Sequence, residues 1–309
     1  MIKVFIDGSA GTTGLRIYER LGNRSDLQLV ILPDDVRKDP AARKEALNSA
    51  DVAFLCLPDA AAKEAVAMRE NDRTVIIDTS TAHRTADNWT YGFPELAGMR
   101  AKIAGSKLIA NPGCHAGGFI ALAAPLVQGG IISPSEQLSC FSLTGYSGGG
   151  KKMIADYEDN SKKAELCPPR VYGLSQCHKH LPEMMKISGL YNPPVFSPIV
   201  SDYYSGMEVV IPLSGTEIKG SIEDIKSVYK EYYVSGLVKY KENADEDGFM
   251  SAGAFSGRDD MEISVFGNSD RITLVSRFDN LGKGASGAAI QNMNIVLGLP
   301  ENTGLNVGE

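Results

Sequence analysis

The sequence lacks the features of secreted, membrane-spanning and nucleic-acid-binding proteins. No run reaches the roughly 18 apolar residues that a membrane span needs, and the first residues contain neither the basic stretch nor the small-residue cleavage site of a secretory signal. Basic residues are outnumbered by acidic ones, 31 to 38, and the net charge of -7 offers no basic face for a nucleic acid. We therefore expect a cytoplasmic protein with no membrane or nucleic-acid partner.

Cysteine is scarce and is not arranged in pairs. The five cysteines are odd in number and include no CxxC motif, so we expect neither a disulfide framework nor a structural zinc site. This pattern predicts thiols in a reducing compartment and no bound metal. The cysteines are Cys56, Cys114, Cys140, Cys167 and Cys177.

The first third of the chain alternates between short apolar strands and helices. Strands are predicted at residues 2–6, 27–32, 51–57, 74–78 and 107–111, and helices at residues 15–21, 40–49 and 60–70. Such alternation is typical of a right-handed parallel sheet that is covered by helices on both faces. We predict a Rossmann-like, doubly wound α/β domain.

The pattern changes after residue 118. A helix is predicted at residues 119–127, strands at 138–144, 205–212, 237–240 and 271–278, and loops rich in glycine or proline at 145–150, 167–173 and 191–198. This pattern predicts an α+β domain with a mostly antiparallel sheet. A final helix at 285–297 can pack back on the first domain, which would then be discontinuous in sequence.

A glycine-rich segment follows the first predicted strand and precedes a helix. Its spacing is GxxGxxG instead of the more familiar GxGxxG. Small residues at this position let the backbone approach a phosphate and present N–H groups from the helix N-terminus. We predict that a dinucleotide binds here, and the predicted contacts are Gly8, Ser9, Ala10, Gly11, Thr12, Thr13 and Gly14.

The segment after the second strand gives conflicting signals about the cofactor. Asp34 and Asp35 favour NAD by bonding a ribose, whereas Arg37 and Lys38 favour NADP by pairing with a 2′-phosphate. A charged surface loop without a ligand is the alternative. We predict NADP, with Arg37 and Lys38 as contacts, and Pro58 after the third strand as a further cofactor contact.

Cys114 follows the fifth strand in the run Asn-Pro-Gly-Cys-His and stands where a helix opens. Ligands of such sheets bind beyond the carboxyl ends of the strands, and a helix N-terminus favours the thiolate form of a cysteine. A core cysteine is the alternative, which we assign to Cys56 in its apolar strand. We predict that Cys114 is a nucleophile and that Asn111 contacts the substrate.

A second polar cluster lies at residues 176–183 and holds two of the four histidines. In an extended segment His178 and His180 point to the same side, where an imidazole can hold a thiolate and act as general acid–base. Glu183 can orient an imidazole. A zinc site is a weaker alternative, because the segment offers no clear third ligand, and the start of a helix is another. Which histidine contacts the thiol stays open.

Two further segments are candidate anion sites. Ser80 and Arg84 follow the fourth strand, where a guanidinium suits a phosphate or carboxylate through bidentate hydrogen bonds. The glycine-rich loop at residues 146–152 contributes Ser147 and Gly148 as predicted substrate contacts. A surface ion pair for Arg84 and a flexible turn for the loop are the simpler interpretations.

Six motifs, in this order along the chain, resemble those of the N-acetyl-γ-glutamyl-phosphate reductase family in its short form. They are residues 8–14, Asp78-x-Ser80…Arg84, Tyr91-Gly-Phe-Pro-Glu95, Asn111-Pro-Gly-Cys114, His178-x-His180-x-Pro-Glu183 and Asp279-Asn280-Leu-Gly-Lys-Gly284. The resemblance spans residues 1 to about 300. No single motif would carry it alone.

The resemblance implies a fold similar to that of aspartate-semialdehyde dehydrogenase. It implies an NADP-binding domain of residues 1–114 and 285–309, and a catalytic and dimerisation domain of residues 115–284. It also implies a catalytic cysteine at Cys114, an acid–base histidine at 178 or 180, and Asn280 near the nicotinamide carboxamide. We further expect a homo-oligomer, either a dimer or a tetramer.

The reaction implied is the NADPH-dependent reduction of N-acetyl-glutamyl 5-phosphate to the 5-semialdehyde and phosphate through a thioester on Cys114. There are three alternatives: an aspartate-semialdehyde-dehydrogenase-type enzyme for another acyl phosphate, a cysteine hydrolase, and a nucleotide-sensing protein without catalysis. The histidine motif and the chain length argue against the first. The phosphate-binding turn argues against the second.

Overall fold

A computed structural model describes residues 1–308 of the chain. They form two compact units. The first comprises Met1–Gly113 and Ala285–Asn306, and the second comprises Cys114–Gly284 with the few residues from Val307 onward. The first unit is therefore discontinuous in sequence. Among the described residues, no helix is long and apolar enough to cross a membrane.

The first unit contains six strands and five helices, of which the last comes from the end of the chain. Its first ten elements are β1 (Ile2–Asp7), α1 (Thr12–Leu21), β2 (Leu27–Val30), α2 (Pro40–Ser49), β3 (Val52–Leu55), α3 (Asp59–Ala67), β4 (Val75–Asp78), β5 (Thr90–Tyr91), α4 (Met99–Ala104) and β6 (Leu108–Ala110).

The second unit contains seven strands and four helices, apart from short 3₁₀ turns. They are α5 (Cys114–Gln128), β7 (Ser139–Gly145), α6 (Gly150–Glu158), β8 (Arg170–Val171), α7 (Leu181–Ser188), β9 (Val195–Ser201), β10 (Met207–Ser214), α8 (Ile222–Tyr232), β11 (Val238–Tyr240), β12 (Met261–Gly267) and β13 (Arg271–Phe278). A π-helical turn, Gly282–Ser286, then leads into α9 (Gly287–Val296), which belongs to the first unit.

The sheet of the first unit is parallel throughout, with the strand order β2-β1-β3-β4-β6-β5. Alternate strand residues point to opposite faces, so β1 directs Val4 and Ile6 into one apolar core and Phe5 into the other. The first core includes residues of α1, α4 and α9, and the second includes residues of α2 and α3. This confirms the predicted doubly wound sheet.

The sheet of the second unit is mixed, with the order β11-β12-β13-β10-β7-β9-β8. Four of its six strand pairs are antiparallel, and β11–β12 and β7–β9 are parallel. Helix α5 contacts β10 and β13, so one face of this sheet is covered by a helix. The fold class predicted from the sequence is therefore correct.

Helix α5 is buried along most of its length and contains a proline. Pro125 has no N–H, so it cannot donate to the Ala121 carbonyl one turn earlier. The hydroxyl of Tyr233 donates to that carbonyl at 2.6 Å, and the hydroxyl of Tyr229 donates to the Leu122 carbonyl at 2.6 Å. Two tyrosines from the segment around α8 thus bind carbonyls at the centre of α5.

All three segments predicted as loops are partly regular, and the one at residues 167–173 contains β8. The predicted loop at residues 191–198 is wrong from Val195 onward, because β9 begins there and pairs with all of β7. Pro198 is tolerated because the other neighbour, β8, is only two residues long and leaves β9 close to the sheet edge. The predicted loop at 145–150 is a 3₁₀ turn, Tyr146–Gly149, followed directly by α6.

Candidate active site

The glycine-rich segment forms a tight turn between β1 and α1. Gly8 has φ +85°, and a Cβ there would lie 2.3 Å from the Cys56 carbonyl oxygen. A Cβ on Gly14 would lie 2.4 Å from the Gly8 oxygen, so neither position can carry a side chain. Gly11 is the N-cap of α1 and provides no side-chain cap. The first N–H groups of α1 are therefore available to a bound anion.

The other predicted cofactor contacts lie after β2 and β3. Arg37 and Asp34 pair with each other, with Nε and Oδ1 3.1 Å apart, and both side chains are exposed. Lys38 is exposed beside them, and Pro58 is the N-cap of α3. Asp34 and Arg37, which favour different cofactors in the sequence, thus form an ion pair with each other.

Ser80 belongs to a hydrogen-bonded group at the carboxyl end of β4. The Asp78 carboxylate accepts from the backbone N–H of Ser80 at 2.9 Å and from its hydroxyl at 2.8 Å. The same carboxylate lies 2.6 Å from Nδ1 of His83, whose ring stacks on Trp89 at 4.1 Å between centroids. Ser80 is therefore held in place by the strand end that precedes it.

Arg84 is buried, and the structure shows its guanidinium bound to the backbone. Nε donates to the Asn111 carbonyl at 2.9 Å and Nη2 to the Thr79 carbonyl at 2.8 Å. The side chain of Asn111 donates in turn to the Ala285 carbonyl at 2.9 Å and accepts from Asn292 at 3.3 Å. Arg84 and Asn111, both predicted as substrate contacts, are thus hydrogen-bonded to each other. At least two N–H groups of Arg84 bind carbonyls that directly follow β4 and β6.

Cys114 is the first residue of α5, five residues before the helix start at 119 predicted from the sequence. It is partly exposed, and a Cβ on Gly284 would lie only 3.0 Å from its own Cβ. The positive end of the helix dipole at this position favours a thiolate. Cys114 thus combines access with a setting that stabilises negative charge.

The remaining cysteines have different surroundings. Cys56 is partly exposed like Cys114, but desolvation raises the pKa of its thiol to about 12, and burial also raises the pKa of the Cys140 thiol. Cys167 and Cys177 are exposed. The assignment of Cys56 to the core agrees with this raised pKa, because a thiol that resists ionisation is a poor nucleophile.

Three of the four histidines meet in the second unit. The ring centroids of His178 and His180 are 4.8 Å apart, and that of His115 is 5.7 Å from His178 and 5.6 Å from His180. The two predicted histidines thus lie together, but they belong to a turn that leads into α7 and not to an extended strand. His180 is the N-cap of α7, and Glu183 is buried in its first turn.

The backbone fixes the tautomer of His178. Its Nδ1 accepts the N–H of His180 at 3.2 Å, so neutral His178 carries its hydrogen on Nε2. Burial, and next the charge of Lys179, lower the pKa of His178 below its ordinary value, and the ring is therefore neutral at pH 7. A neutral ring in this state donates from Nε2 and has no lone pair left for a proton.

Sequence reasoning missed the buried partner of these rings. His115 is buried, with Nδ1 2.7 Å from the Ser142 hydroxyl and Nε2 2.7 Å from the Tyr172 hydroxyl. The three residues come from α5, β7 and the loop after β8, so nothing in the sequence indicates their proximity. The position of His115 directly after Cys114 was the one available signal.

Asn280 and Ser147, predicted separately, are hydrogen-bonded to each other. The Asn280 amide nitrogen donates to the Ser147 hydroxyl at 3.0 Å, and the amide oxygen accepts from the Gly206 N–H at 2.9 Å. Gly148 is next to this pair, where a Cβ would lie 3.4 Å from the Asn280 nitrogen. The structure thus joins the 146–152 loop to Asn280, which follows β13 by two residues and which the family resemblance singled out.

Neither a metal cluster nor a cavity of the first unit points to a different site. Within residues 1–308, no group of three or more His, Cys, Asp or Glu side chains is arranged to hold a metal ion. A cavity of about 670 Å³ in the first unit is lined by Thr90 and Leu108, the first residues of β5 and β6. It therefore lies at the amino ends of the strands, whereas ligands of such sheets bind at the carboxyl ends.

Two family models match the chain, and solved structures share its fold. The model described as semialdehyde dehydrogenase, NAD binding domain, matches residues 33–105, and the one described as semialdehyde dehydrogenase, dimerisation domain, matches residues 114–280.

Aspartate semialdehyde dehydrogenase II of Vibrio cholerae, complexed with ASA, has a TM-score of 0.70 at 16% identity, over 96% of this chain and 98% of that chain. The Candida albicans enzyme with NADP has a TM-score of 0.67 at 15% identity, with the same coverage. The fold and the matched domains define the class of semialdehyde dehydrogenases.

Curated relatives are more specific. N-acetyl-gamma-glutamyl-phosphate reductase 2 of Nostoc sp. is 45% identical over 318 residues, which cover 98% of this chain and 99% of the relative. N-acetyl-gamma-glutamyl-phosphate reductase of Brucella ovis is 44% identical over 307 residues, covering 96% and 99%. The chain belongs to the N-acetyl-gamma-glutamyl-phosphate reductase family, as its motifs predicted.

Proposed function

We propose that this protein reduces N-acetyl-glutamyl 5-phosphate to N-acetyl-glutamate 5-semialdehyde with NADPH, as a cytoplasmic enzyme of arginine biosynthesis. The observation that carries the proposal is the accessible thiol of Cys114 at the start of α5, in a unit where three histidine rings meet. Full-length relatives at 44–45% identity with this named activity support the substrate.

The first unit has the features that a dinucleotide needs. The turn at residues 8–14 excludes side chains at Gly8 and Gly14 and leaves the first N–H groups of α1 for a pyrophosphate. We assign Ser9, Ala10, Thr12 and Thr13 to this contact, Arg37 and Lys38 to a 2′-phosphate, and Pro58 and Asn280 to further contacts. Bound NADPH supplies the hydride that reduces the acyl carbon.

The first covalent step belongs to Cys114. Its thiolate attacks the acyl carbon, a C–S bond forms, the C–O bond to phosphate breaks, and phosphate leaves with the electron pair. After hydride has reached the same carbon, the C–S bond of the thiohemiacetal breaks and returns the electron pair to sulfur. The sum is acyl phosphate, NADPH and one proton giving semialdehyde, phosphate and NADP⁺.

His180 takes the acid–base role in this scheme, and His178 acts as a neutral donor. The Nδ1 lone pair of His178 is occupied by the His180 N–H, and burial keeps the ring neutral, so His178 has an Nε2–H to offer but no site for a proton. His180 is then the ring that exchanges the proton, and buried Glu183 in the same helical turn supports its charge.

Substrate contacts are proposed at two groups of residues. Ser80, Arg84 and Asn111 lie at the carboxyl ends of β4 and β6, where Arg84 provides positive charge for an anionic substrate. Ser147 and Gly148 adjoin Asn280 in the second unit.

The test is an assay with defined substrates. In the reverse direction, the enzyme with NADP⁺ and phosphate must oxidise N-acetyl-glutamate 5-semialdehyde, and aspartate semialdehyde must be a poor substrate. Cys114→Ser must abolish the reaction, whereas Cys167→Ser, at an exposed cysteine, must leave it unchanged. Preference for aspartate semialdehyde, or an active Cys114→Ser variant, would contradict the proposal.

The enzyme is proposed to be a homodimer through the second unit. The sheet face turned away from α5 carries apolar residues, among them the exposed Phe141 and Val195 and the partly exposed Leu143 and Val210. An exposed apolar patch of this kind marks an interface, and the matched family model is described as a dimerisation domain. Light scattering should give twice the chain mass, and Phe141→Glu should give monomers, whereas Tyr191→Glu at another exposed aromatic should not. A monomeric wild type would overturn this assignment.

A further inference from the structure

The hydrogen bonds of His115 form a continuous chain beside the nucleophile. Ser142 on β7 lies 2.7 Å from Nδ1, and the Tyr172 hydroxyl lies 2.7 Å from Nε2. His115 occupies the first turn of α5, directly after Cys114. The proposed reaction assigns no role to any of these three side chains.

His115 stays neutral in the folded protein. Burial is the main cause that lowers its pKa to about 3, and the positive charges of Lys179 and of His178 in its protonated form are smaller causes in the same direction. A neutral imidazole has one donor and one acceptor, so Ser142 and Tyr172 must have opposite roles. His115 therefore exchanges no proton at pH 7, unlike the ring that performs acid–base chemistry.

The two tautomers have different consequences for Tyr172. With the hydrogen on Nδ1, His115 accepts the phenolic hydrogen of Tyr172, which is then unable to donate elsewhere. With the hydrogen on Nε2, the Ser142 hydroxyl donates to Nδ1, Nε2–H donates to the phenolic oxygen, and the phenolic hydrogen is left to donate to another acceptor.

The surroundings of Tyr172 favour the second arrangement. Burial raises the pKa of Tyr172, and an electrostatic interaction with Cys114 raises it further, so the phenol keeps its hydrogen. A negative sulfur attracts that hydrogen and repels a lone pair of the phenolic oxygen. The ionisable groups around His115 are Cys114, Tyr172, His178, Lys179 and His180.

We propose that His115 is a positioning residue: Ser142 holds it as the Nε2–H tautomer, and its donation to Tyr172 turns the phenolic hydrogen toward the Cys114 thiolate. No bond is made or broken, and no proton is transferred along the chain. The inference rests on the proposed function only in taking Cys114 as the nucleophile.

The tautomer can be observed without substrate by ¹⁵N NMR of the full chain with labelled histidine, since the chain has four histidines. Besides the ring of His178, a second ring should show the neutral Nε2–H pattern without titrating between pH 5 and 9. Its signal should be absent from His115→Gln and shifted in Ser142→Ala, so one unfolded variant does not prevent the assignment. An Nδ1–H pattern, or titration near pH 6.5, would overturn the proposal.

The effect on the thiolate can be measured from the pH dependence of Cys114 alkylation by iodoacetamide, in a background with exposed Cys167 and Cys177 replaced by serine. Tyr172→Phe and His115→Phe should each raise the pH of half-maximal rate by about one unit, a tenfold smaller thiolate fraction at neutral pH. The alkylation rate of the double variant at neutral pH should match that of Tyr172→Phe within about twofold, because His115 and Tyr172 act on the thiolate through one hydrogen bond.

Two comparisons separate this role from packing. His115→Gln, which keeps an N–H donor, should raise the alkylation midpoint less than His115→Phe does. Phe196→Leu, which changes a ring 5.3 Å from His115, should leave the alkylation midpoint unchanged. Turnover should fall about tenfold in His115→Phe with KM changed less than about twofold. An unchanged midpoint in His115→Phe, or additive shifts in the double variant, would contradict the proposal whether or not the proposed substrate is correct.

Discussion

Residues with the same side chain have different roles here because their surroundings differ. Cys56 and Cys114 both lie near strand ends, but burial raises the pKa of Cys56 to about 12 while Cys114 lies at the start of a helix. His115 and His178 are both held neutral by burial, yet their hydrogen-bond partners differ. Within the H-x-H motif, one backbone contact distinguishes the two rings: the His180 N–H donates to Nδ1 of His178, which fixes the tautomer of His178.

The two histidines of the H-x-H motif can be separated by their pH profiles. His180→Gln should lower kcat/KM by about 10²–10⁴-fold and remove one limb of the bell-shaped profile, because the exchanging group is lost. His178→Gln still offers an N–H, so it should keep both limbs on a lower plateau. Steady-state rates from pH 5 to 10 provide the measurement. Loss of a limb in His178→Gln alone would reverse the assignment.

Gly284 gives Cys114 its position. A Cβ there would lie 3.0 Å from both the Cys114 Cβ and the Asp279 oxygen, which is closer than ordinary contacts. Gly284→Ala should displace Cys114 and lower kcat by about tenfold or more, since small misplacements of reacting groups are costly. Gly253→Ala is the control, because its Cβ meets nothing closer than 3.7 Å. Equal kcat for both variants would show that the site adapts.

At the scale of the element, the proline in α5 is compensated by Tyr233, whose hydroxyl donates to the Ala121 carbonyl. Tyr233→Phe leaves this buried carbonyl without its tyrosine donor and should lower the free energy of unfolding by about 1–3 kcal/mol. Tyr232→Phe, which removes an exposed hydrogen bond to Gln128, should cost less than about 0.5 kcal/mol. Urea unfolding measures both. A similar loss of unfolding free energy in both variants would mean that the hydrogen bond to the Ala121 carbonyl contributes little to stability.

Most strands and helices of the first unit could be predicted because hydrophobic periodicity is a local property, although the short elements β5 and α4 were missed. Helix α2 (Pro40–Ser49) of the first unit has the predicted bounds, and so does strand β13 (Arg271–Phe278) of the second unit. Strand β9 was missed because prolines normally indicate a loop, and the short neighbour that permits Pro198 is not visible in the sequence. Helix α8 was also missed, although Ser221 and Asp224 form a capping box that signals its start.

The candidate site was only partly predictable for the same reason. Cys114, His178 and His180 lie in dense polar motifs that stand out along the chain. Ser142 and Tyr172 lie in ordinary surroundings, and only the pairing of β7 with β9 and of β8 with β9 brings them to His115. Proximity across three segments is a tertiary property, which no local pattern encodes.

At the scale of the whole molecule, two ionisable groups give opposite pH dependences of stability. Burial lowers the pKa of His115 to about 3 from 6.5, so in this range the unfolded chain binds more protons and stability falls as pH falls. Burial raises the pKa of Glu208 to about 7 from 4.5, with Arg277 opposing. Between those values the folded state binds more protons, and stability falls as pH rises.

The two effects oppose each other between pH 4.5 and 6.5, and removing one should expose the other. Relative to the wild type, Glu208→Gln should gain up to about 1.4 kcal/mol of unfolding free energy per pH unit as pH rises through this window. Chemical denaturation at pH 4.5, 5.5 and 6.5 measures the difference. Glu19→Gln, at an exposed position, should run parallel to the wild type. A parallel Glu208→Gln curve would contradict the raised pKa.

The discontinuity of the first unit also constrains how the protein is made. Residues of α9, among them Ile290 and Met293, complete an apolar core that β1, β3 and β4 enter from the other end of the chain. During synthesis the first 113 residues emerge long before this helix, whereas the second unit can close as soon as residue 284 is available. Until α9 has been synthesised, one face of the nascent parallel sheet is therefore covered only by α1 and α4, and its remaining apolar surface is exposed to chaperones and to aggregation.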